Sequence, residues 1–381
     1  MSARSLALQQ LLDFQERVPA YSVQRNFDRP GHAEVSRLSK WLRYRVISEE
    51  ECVAAVLERH PLEVAEKFVQ EVLWRTYWKG WLEQRPQVWT SYADSLALLR
   101  GEFDSHKGYR AAVDGCTGLS FFDDWVRELR ETGYLHNHAR MWFASVWIFT
   151  LQLPWQLGAD LMYRHLLDGD PASNTLSWRW VGGLQTPGKI YVARPDNIEK
   201  YSDGRWRPKA SELNLDPRPL PMDDVDAPAP LQSLSNEPVE AGEYVLLHDE
   251  DLSADLTPEL AGTDPSFLLW DRVVGDRSDV VRNHLTNLRR DTGERTSAVS
   301  VNSAEGVFRH LERSSPKVVH MMKPHCGEVQ REVLDLATKV ATEGIMVVFH
   351  RRRWDEAYFP FAKAGFFPFW TAARRRLERG R

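Results

Sequence analysis

Cysteine is scarce in this chain of 381 residues: Cys52, Cys116 and Cys326 lie far apart. With no paired spacing among them, a disulfide scaffold, a zinc finger and a four-cysteine iron–sulfur cluster are excluded, and a reducing cytoplasm is expected. No apolar run reaches the roughly 18 residues of a membrane span. The opening MSARSLALQQLLDFQER turns polar too early for a secretory signal. No Gly-rich GxGxxG or GxxxxGK[ST] loop follows any apolar run, so a dinucleotide or P-loop site of that kind is unsupported. Methionine is also sparse, at 7, whereas tryptophan reaches 15. Each tryptophan buries much surface and carries an N–H that needs a partner, so the excess asks for more than core filling.

The net charge of −5 hides a gradient. Residues 1–206 are near neutral, with 25 basic and 26 acidic side chains. Residues 207–265 carry 3 basic and 14 acidic ones, and residues 266–381 carry 21 and 14. Seven of the 21 prolines fall between Pro208 and Pro238. The stretch LDPRPLPMDDVDAPAPLQSLSNEP therefore reads as a proline-rich acidic linker, and the domain boundaries fall at 1–206, 207–242 and 243–381. The basic end, ARRRLERGR, reads as a solvated charged tail or as a nucleic-acid footprint; net charge alone does not separate the two.

Residues 1–206 read as helical throughout. Ser48 and Glu51 form a capping box before CVAAVLERH, Pro61 stops that helix, and Val64, Phe68, Val72, Trp74, Tyr77, Trp78 and Trp81 recur at helical spacing. Helices are also expected over Phe121–Thr132 and Leu135–Leu153, from Pro154 onward, and over PASNTLSWRWVGG, which its glycines end. Beyond the linker the period changes. YVLLHDEDL, SFLLWDRVV, SAVSVN, KVVHMM and IMVVFHRR are short β-branched apolar runs with helical stretches between several of them. The expected fold is a helical domain followed by a smaller α/β domain with a Rossmann-like parallel sheet.

Chemically useful residues are densest in ETGYLHNHARM and LLDGDPASNTLSWRWVGG. Asp168 and Asp170 stand two apart, with Asn174 a helical turn beyond and Arg140 available to pair with Asp168. The spacing matches no zinc pattern, so no metal is expected. These segments, with VSRLSKWLRYRVIS (35–48) and FVQEVLWRTYWKGWL (68–82), resemble the helical flavin-binding domain of the cryptochrome/photolyase family. The likeness runs from about Phe14 to Trp206.

The resemblance implies FAD as cofactor. It implies phosphate contacts from Ser36, Leu38 and Ser39 at a helix start, with Val35 in place of the usual threonine. Tyr21 and Asn137 would lie against the cofactor, and Arg140, Asp168 and Asp170 would lie beside its ring. Asn174 would face flavin N5, where a neutral amide sets the ring's electronics without supplying an acidic proton. Trp178 and Trp155 match the proximal and middle members of an electron relay. The distal member should stand near Phe103, where there is no tryptophan, leaving Tyr109 or another of the 12 tryptophans in residues 1–206 as substitute. Glu71, Trp74, Arg75, Met141 and Trp180 match the lesion pocket of cyclobutane-dimer photolyases, where a flipped dimer needs aromatic faces and a carboxylic acid. Asn137 and Met141 replace the histidines of the (6–4) branch, and His138 replaces an arginine common in dimer repair. Taken on its own, Glu71 is equally an ordinary i,i+4 partner for Arg75.

The family's α/β antenna domain would here follow the flavin half, which implies a circular permutation. Whether an antenna chromophore is kept is not readable from the residues. The first functional expectation is a deoxyribodipyrimidine photo-lyase acting by electron transfer from reduced FAD to pyrimidine-dimer DNA. The alternative is a cryptochrome-like blue-light photoreceptor with a protein partner. A flavin-free scaffold comes third.

Overall fold

Ser48 starts its helix as the spacing predicts: its hydroxyl accepts from Glu51 N at 3.1 Å, and Glu51 accepts from Ser48 N at 2.8 Å. The computed structural model describes residues 1–379 apart from 235–237, 261 and 263. Its first half is α1 Ala3–Gln15, α2 Val18–Gln24, α3 Ser39–Leu42, α4 Glu49–Arg59, α5 Leu62–Glu83, α6 Pro86–Phe103, α7 Lys107–Asp114, α8 Ser120–Thr132, α9 Asn137–Ser145, α10 Trp155–His165, α11 Pro171–Gly182 and α12 Pro195–Tyr201. The second half is β1 Tyr244–Leu247, β2 Ser266–Trp270, α13 Asp279–Thr296, β3 Val299–Val301, α14 Ala304–Ser314, β4 Val318–Met322, α15 Glu328–Thr342, β5 Met346–His350, α16 Arg353–Tyr358 and α17 Phe366–Arg379. Among the described residues no helix is long and apolar enough to cross a membrane.

One expectation needs correction, and two others gain detail. The helix expected over Leu135–Leu153 is α9 followed by a π-helical turn, Val146–Thr150, closed by Leu151 N donating to Val146 O at 2.9 Å. It stops because Gln152 takes φ 53 just before Leu153 and Pro154, and a proline cannot continue the ladder. The helix opened by the expected phosphate contacts is one turn, Ser39–Leu42. The charged tail is helical up to Arg379, residues 380–381 lying outside the described ones, and Phe366, Phe369, Trp370 and Ala373 form an apolar stripe that buries one face of α17. The last helix of the motif-rich segment does end as expected, at Gly183 with φ 82.

All five strands are parallel, in the order β3-β2-β1-β4-β5, with Val245 beside Phe267 on one side and His320 on the other. One face, with Leu246, Leu268 and Met321, packs on Val307 and Leu311 of α14 and Val333 and Leu336 of α15. The other face, with Val245, Leu247, Leu269 and Met322, joins the same core as α1, α4 and α5. The sheet therefore buries its second face against the helical half.

That junction also buries charge. Arg43 donates to Glu250 at 2.8 Å and to Gly169 O at 2.7 Å. One Nη of Arg45 donates to both carboxylate oxygens of Asp355 at 2.7 and 2.8 Å, with Glu49 at 3.4 Å and Asp251 at 3.6 Å. Trp354 donates its indole N–H to Thr76 at 2.9 Å. Gly80 lets α5 approach the second half: a Cβ there would lie 2.9 Å from the Phe359 ring. The acidic connector is pinned as it crosses the helices. Leu220 N donates to Gly182 O at 3.0 Å, Ala229 N to Gln84 O at 2.8 Å, and Asp223 accepts both Nη atoms of the buried Arg179 at 2.5 and 3.0 Å.

Candidate functional site

The loop between α10 and α11 carries Asp168 and ends in Asp170, the N-cap of α11, whose carboxylate accepts from Ser173 N at 2.7 Å. On α9, Arg140 reaches back and donates two hydrogen bonds to Asp168, at 3.0 and 3.1 Å. Its Nε is held by Leu135 O at 2.9 Å, so the fork is pre-oriented. Ser39 at the start of α3 also donates to Asp168. Burial opposes ionisation of Asp168, but the Arg140 and Arg75 charges outweigh it and hold the carboxyl below the usual range. Asp170 is likewise buried, and Lys79, Arg75 and Arg43 hold it well below that range.

Other expected cofactor residues fall around this pair unevenly. Leu38 is buried, and its N–H donates to Ser36 Oγ at 3.4 Å, so that hydroxyl is engaged locally. Tyr21 is buried against Phe14 and Phe68 and hydrogen-bonds Arg25. Asn174 donates its side-chain amide to Ala159 O at 2.8 Å. That contact ties the nitrogen to α10 and leaves the carbonyl oxygen as the group available to a ligand. Asn137 is exposed at the first turn of α9. Arg75 lies 3.8 Å from Asp170, and its buried Nη1 has no hydrogen-bond partner; Ser173 Oγ is equally without one. Unsatisfied donors flanking two ionised carboxylates are what a bound heterocycle with carbonyls and ring N–H groups would satisfy, so the residues present fit FAD.

In a scan against known families, residues 68–204 match the FAD binding domain of DNA photolyase. The photolyase-type segment is 32% identical over 191 residues to the deoxyribodipyrimidine photo-lyase of Streptomyces griseus, covering 47% of this chain and 40% of that protein. It is 35% identical over 200 residues to a protein of the same name from Thermus thermophilus, covering 50% and 46%. A class III photolyase structure from Agrobacterium tumefaciens aligns with TM-score 0.45 at 29% identity, over 52% of this chain and 42% of that one. The chain thus spans less than half the length of these photolyases.

Most residues expected to line a lesion pocket have partners outside that set. Glu71 pairs with Arg25, not with Arg75 as the helical spacing suggested, because Arg75 turns toward Asp170. Burial raises the Glu71 carboxyl against the pull of the Arg25 charge. Trp74 stacks face to face on Phe366 of α17, with ring centroids 3.7 Å apart and planes 8° from parallel. Trp180 stacks on Tyr191 at 5.7 Å, and Met141 is half-buried on α9. Of the expected relay, Trp178 meets Trp147 edge-on at 6.2 Å, while Trp155 stacks on Tyr92 at 5.5 Å. Trp147 in turn meets Tyr109 at 6.1 Å.

Sequence reasoning missed four participants. Arg25 follows Tyr21 by one helical turn, a readable signal. Lys79 sits one turn beyond Arg75, equally readable. His136, pushed down to about 3 by burial and the neighbouring His32 and His138, gave no signal. Phe366 gave none either, since it arrives from the other half of the chain.

Proposed function

We propose that this chain is a blue-light-driven flavoprotein that splits cyclobutane pyrimidine dimers in DNA, with FAD held over Asp168 and Asp170. The observation that carries the reading is the Arg140–Asp168 fork beside Asp170, flanked by the unsatisfied Arg75 and Ser173. FAD, when bound, supplies light absorption and one-electron transfer. Arg140, pre-oriented by Leu135 O, keeps Asp168 ionised and fixed in place. Asn174 offers its carbonyl, and the segment from Ser36 to Ser39 leading into α3 is proposed for the phosphate end, Ser39 also holding Asp168. Tyr21 closes that side through Arg25. Glu71, raised by burial and paired with Arg25, is the proposed partner of a pyrimidine carbonyl. Arg75, Met141 and Trp180 remain the proposed lesion contacts. The relay reading keeps Trp178 as the ring next to the flavin, with Trp155 further out. The likeness to named photo-lyases supports the activity. The second half, which follows the flavin half and carries a five-stranded parallel sheet, supports the reading of a circularly permuted antenna domain.

Phe366 on Trp74 favours a second reading. A flipped base cannot stack on a face already covered at 3.7 Å. In that reading the protein is a blue-light photoreceptor of cryptochrome type without repair.

One experiment separates the two. The purified protein is illuminated with a dimer-containing oligothymidine and a reductant, and absorption is followed. Flavin bleaching with recovery of thymine absorbance is expected, and Glu71→Ala should lower the yield per absorbed photon by about tenfold or more. Bleaching without recovery establishes the second reading, and an unchanged yield in Glu71→Ala removes Glu71 from the chemistry.

A further inference from the structure

Helix α17 has two faces. Phe366, Phe369, Trp370 and Ala373 are buried against α5. The opposite edge presents Phe367, Thr371, Arg375 and Arg379 at strict four-residue spacing, and Lys363 stands exposed just before the helix. Phe367 is 73% exposed and is the only aromatic ring among the large exposed apolar side chains of the described residues. Arg374 is engaged by Glu66 at 3.6 Å and Glu378 at 2.9 Å, and the Arg376 guanidinium lies 6.0 Å from the centre of the Tyr358 ring. Arg375 and Arg379 have no acidic partner among the described residues, and neither has Lys363. Most other arginines of this chain are paired, often buried, as in Arg45–Asp355 and Arg289–Asp249. The helix is also rigidly placed. Tyr77 donates its hydroxyl to Ala364 O at 2.7 Å, Arg85 donates to Lys363 O at 2.7 Å, and Phe366 covers Trp74.

We propose that the exposed edge of α17 binds the phosphate backbone of single-stranded DNA at the rim of the substrate site, with Lys363, Arg375 and Arg379 on phosphates and Phe367 stacking on a base. The chemistry is that of sequence-tolerant strand binding, a row of cations with an aromatic platform. Arg375 and Arg379 stand about 6 Å apart along the helix axis, so each can take its own phosphate. Charge complementarity selects the occupant: Arg374 alone engages Glu66 and Glu378, leaving this edge without a competing carboxylate contact. The proposal rests on the DNA-binding part of the function proposed above and extends it to residues outside the photolyase-type segment.

The test is fluorescence anisotropy of labelled, undamaged oligothymidylate against the full-length protein at stepped NaCl concentrations. Arg375→Gln/Arg379→Gln should weaken binding about tenfold at low salt and flatten the log–log salt slope by about 1.4, the loss of two single-strand phosphate contacts. Phe367→Ala should weaken binding about tenfold with the slope unchanged. These side chains are exposed, so unchanged circular dichroism confirms that the variants fold. Variants that bind like wild type, or a wild type that does not bind, overturn the proposal. Dimer splitting is read in the same samples. Splitting with variants that bind like wild type overturns α17 alone. Weakened variants in a protein that splits no dimer uphold α17 and overturn the repair reading.

Discussion

Helix α5 contributes to two sites that are built in contrasting ways. Arg75 and Lys79 face the buried carboxylates Asp170 and Glu49, and much of that polar cluster comes from neighbouring stretches of the helical half. Trp74 and Tyr77, on the same helix, are closed by Phe366 and Phe369 from the far end of the chain. The proposed cofactor cradle is assembled within the helical half, from α3, α5, α9, α11 and the loop before α11. The aromatic face next to it is completed by a different half of the molecule. A single helix can thus carry one site that reads directly from its residues and another whose exposure depends on what docks against it.

The largest expected effect comes from breaking the junction that holds the halves together. Arg45→Ala leaves Asp355, Glu49 and Asp251 buried without their shared cation and should cost about 3–5 kcal/mol. Denaturant unfolding followed by tryptophan emission and by far-UV dichroism should then show two transitions where wild type shows one; a single unshifted transition refutes the coupling. Next, Phe366→Ala removes a large buried ring and should cost about 3 kcal/mol or more. It also uncovers Trp74, so under the repair reading the yield of dimer splitting should rise, and an unchanged yield refutes the covered face as the limit. The smallest effect sharpens the cradle side. His136 is kept neutral in the folded protein down to about pH 3, whereas the unfolded chain takes up a proton below its ordinary value near 6.5. Its contribution to stability is therefore full above that value and is lost as the pH falls toward 4. His136→Gln should flatten the stability curve there by on the order of 1–2 kcal/mol, measured by urea midpoints at pH 7 and 4.5. Equal slopes in both proteins would remove His136 as the cause.

Much of the cradle was legible because its signals are local. Asp170 caps α11 three residues before Ser173, the Ser48–Glu51 box starts α4, and Gly183 ends α11, all through contacts within a turn. The Arg140–Asp168 pair needed only the expectation that a buried carboxylate finds a cation. The five strands were readable from their β-branched runs. The tail was not, because its arginines dominated the composition while Phe366, Phe369 and Trp370 carried the period that makes it α17. The Glu71 partner was misjudged because helical spacing offers Arg75, and only the position of Asp170 draws Arg75 away.

By itself the sequence determined the order of a helical and a parallel α/β half and the capped helices, since these follow from neighbours in the chain, and it offered Arg140 as the partner of Asp168. The tertiary structure decided what no local pattern encodes. It set Phe366 on Trp74, Asp223 on Arg179 and Asp355 on Arg45, because those pairs are selected by the burial of apolar surface and charge between segments far apart in the sequence.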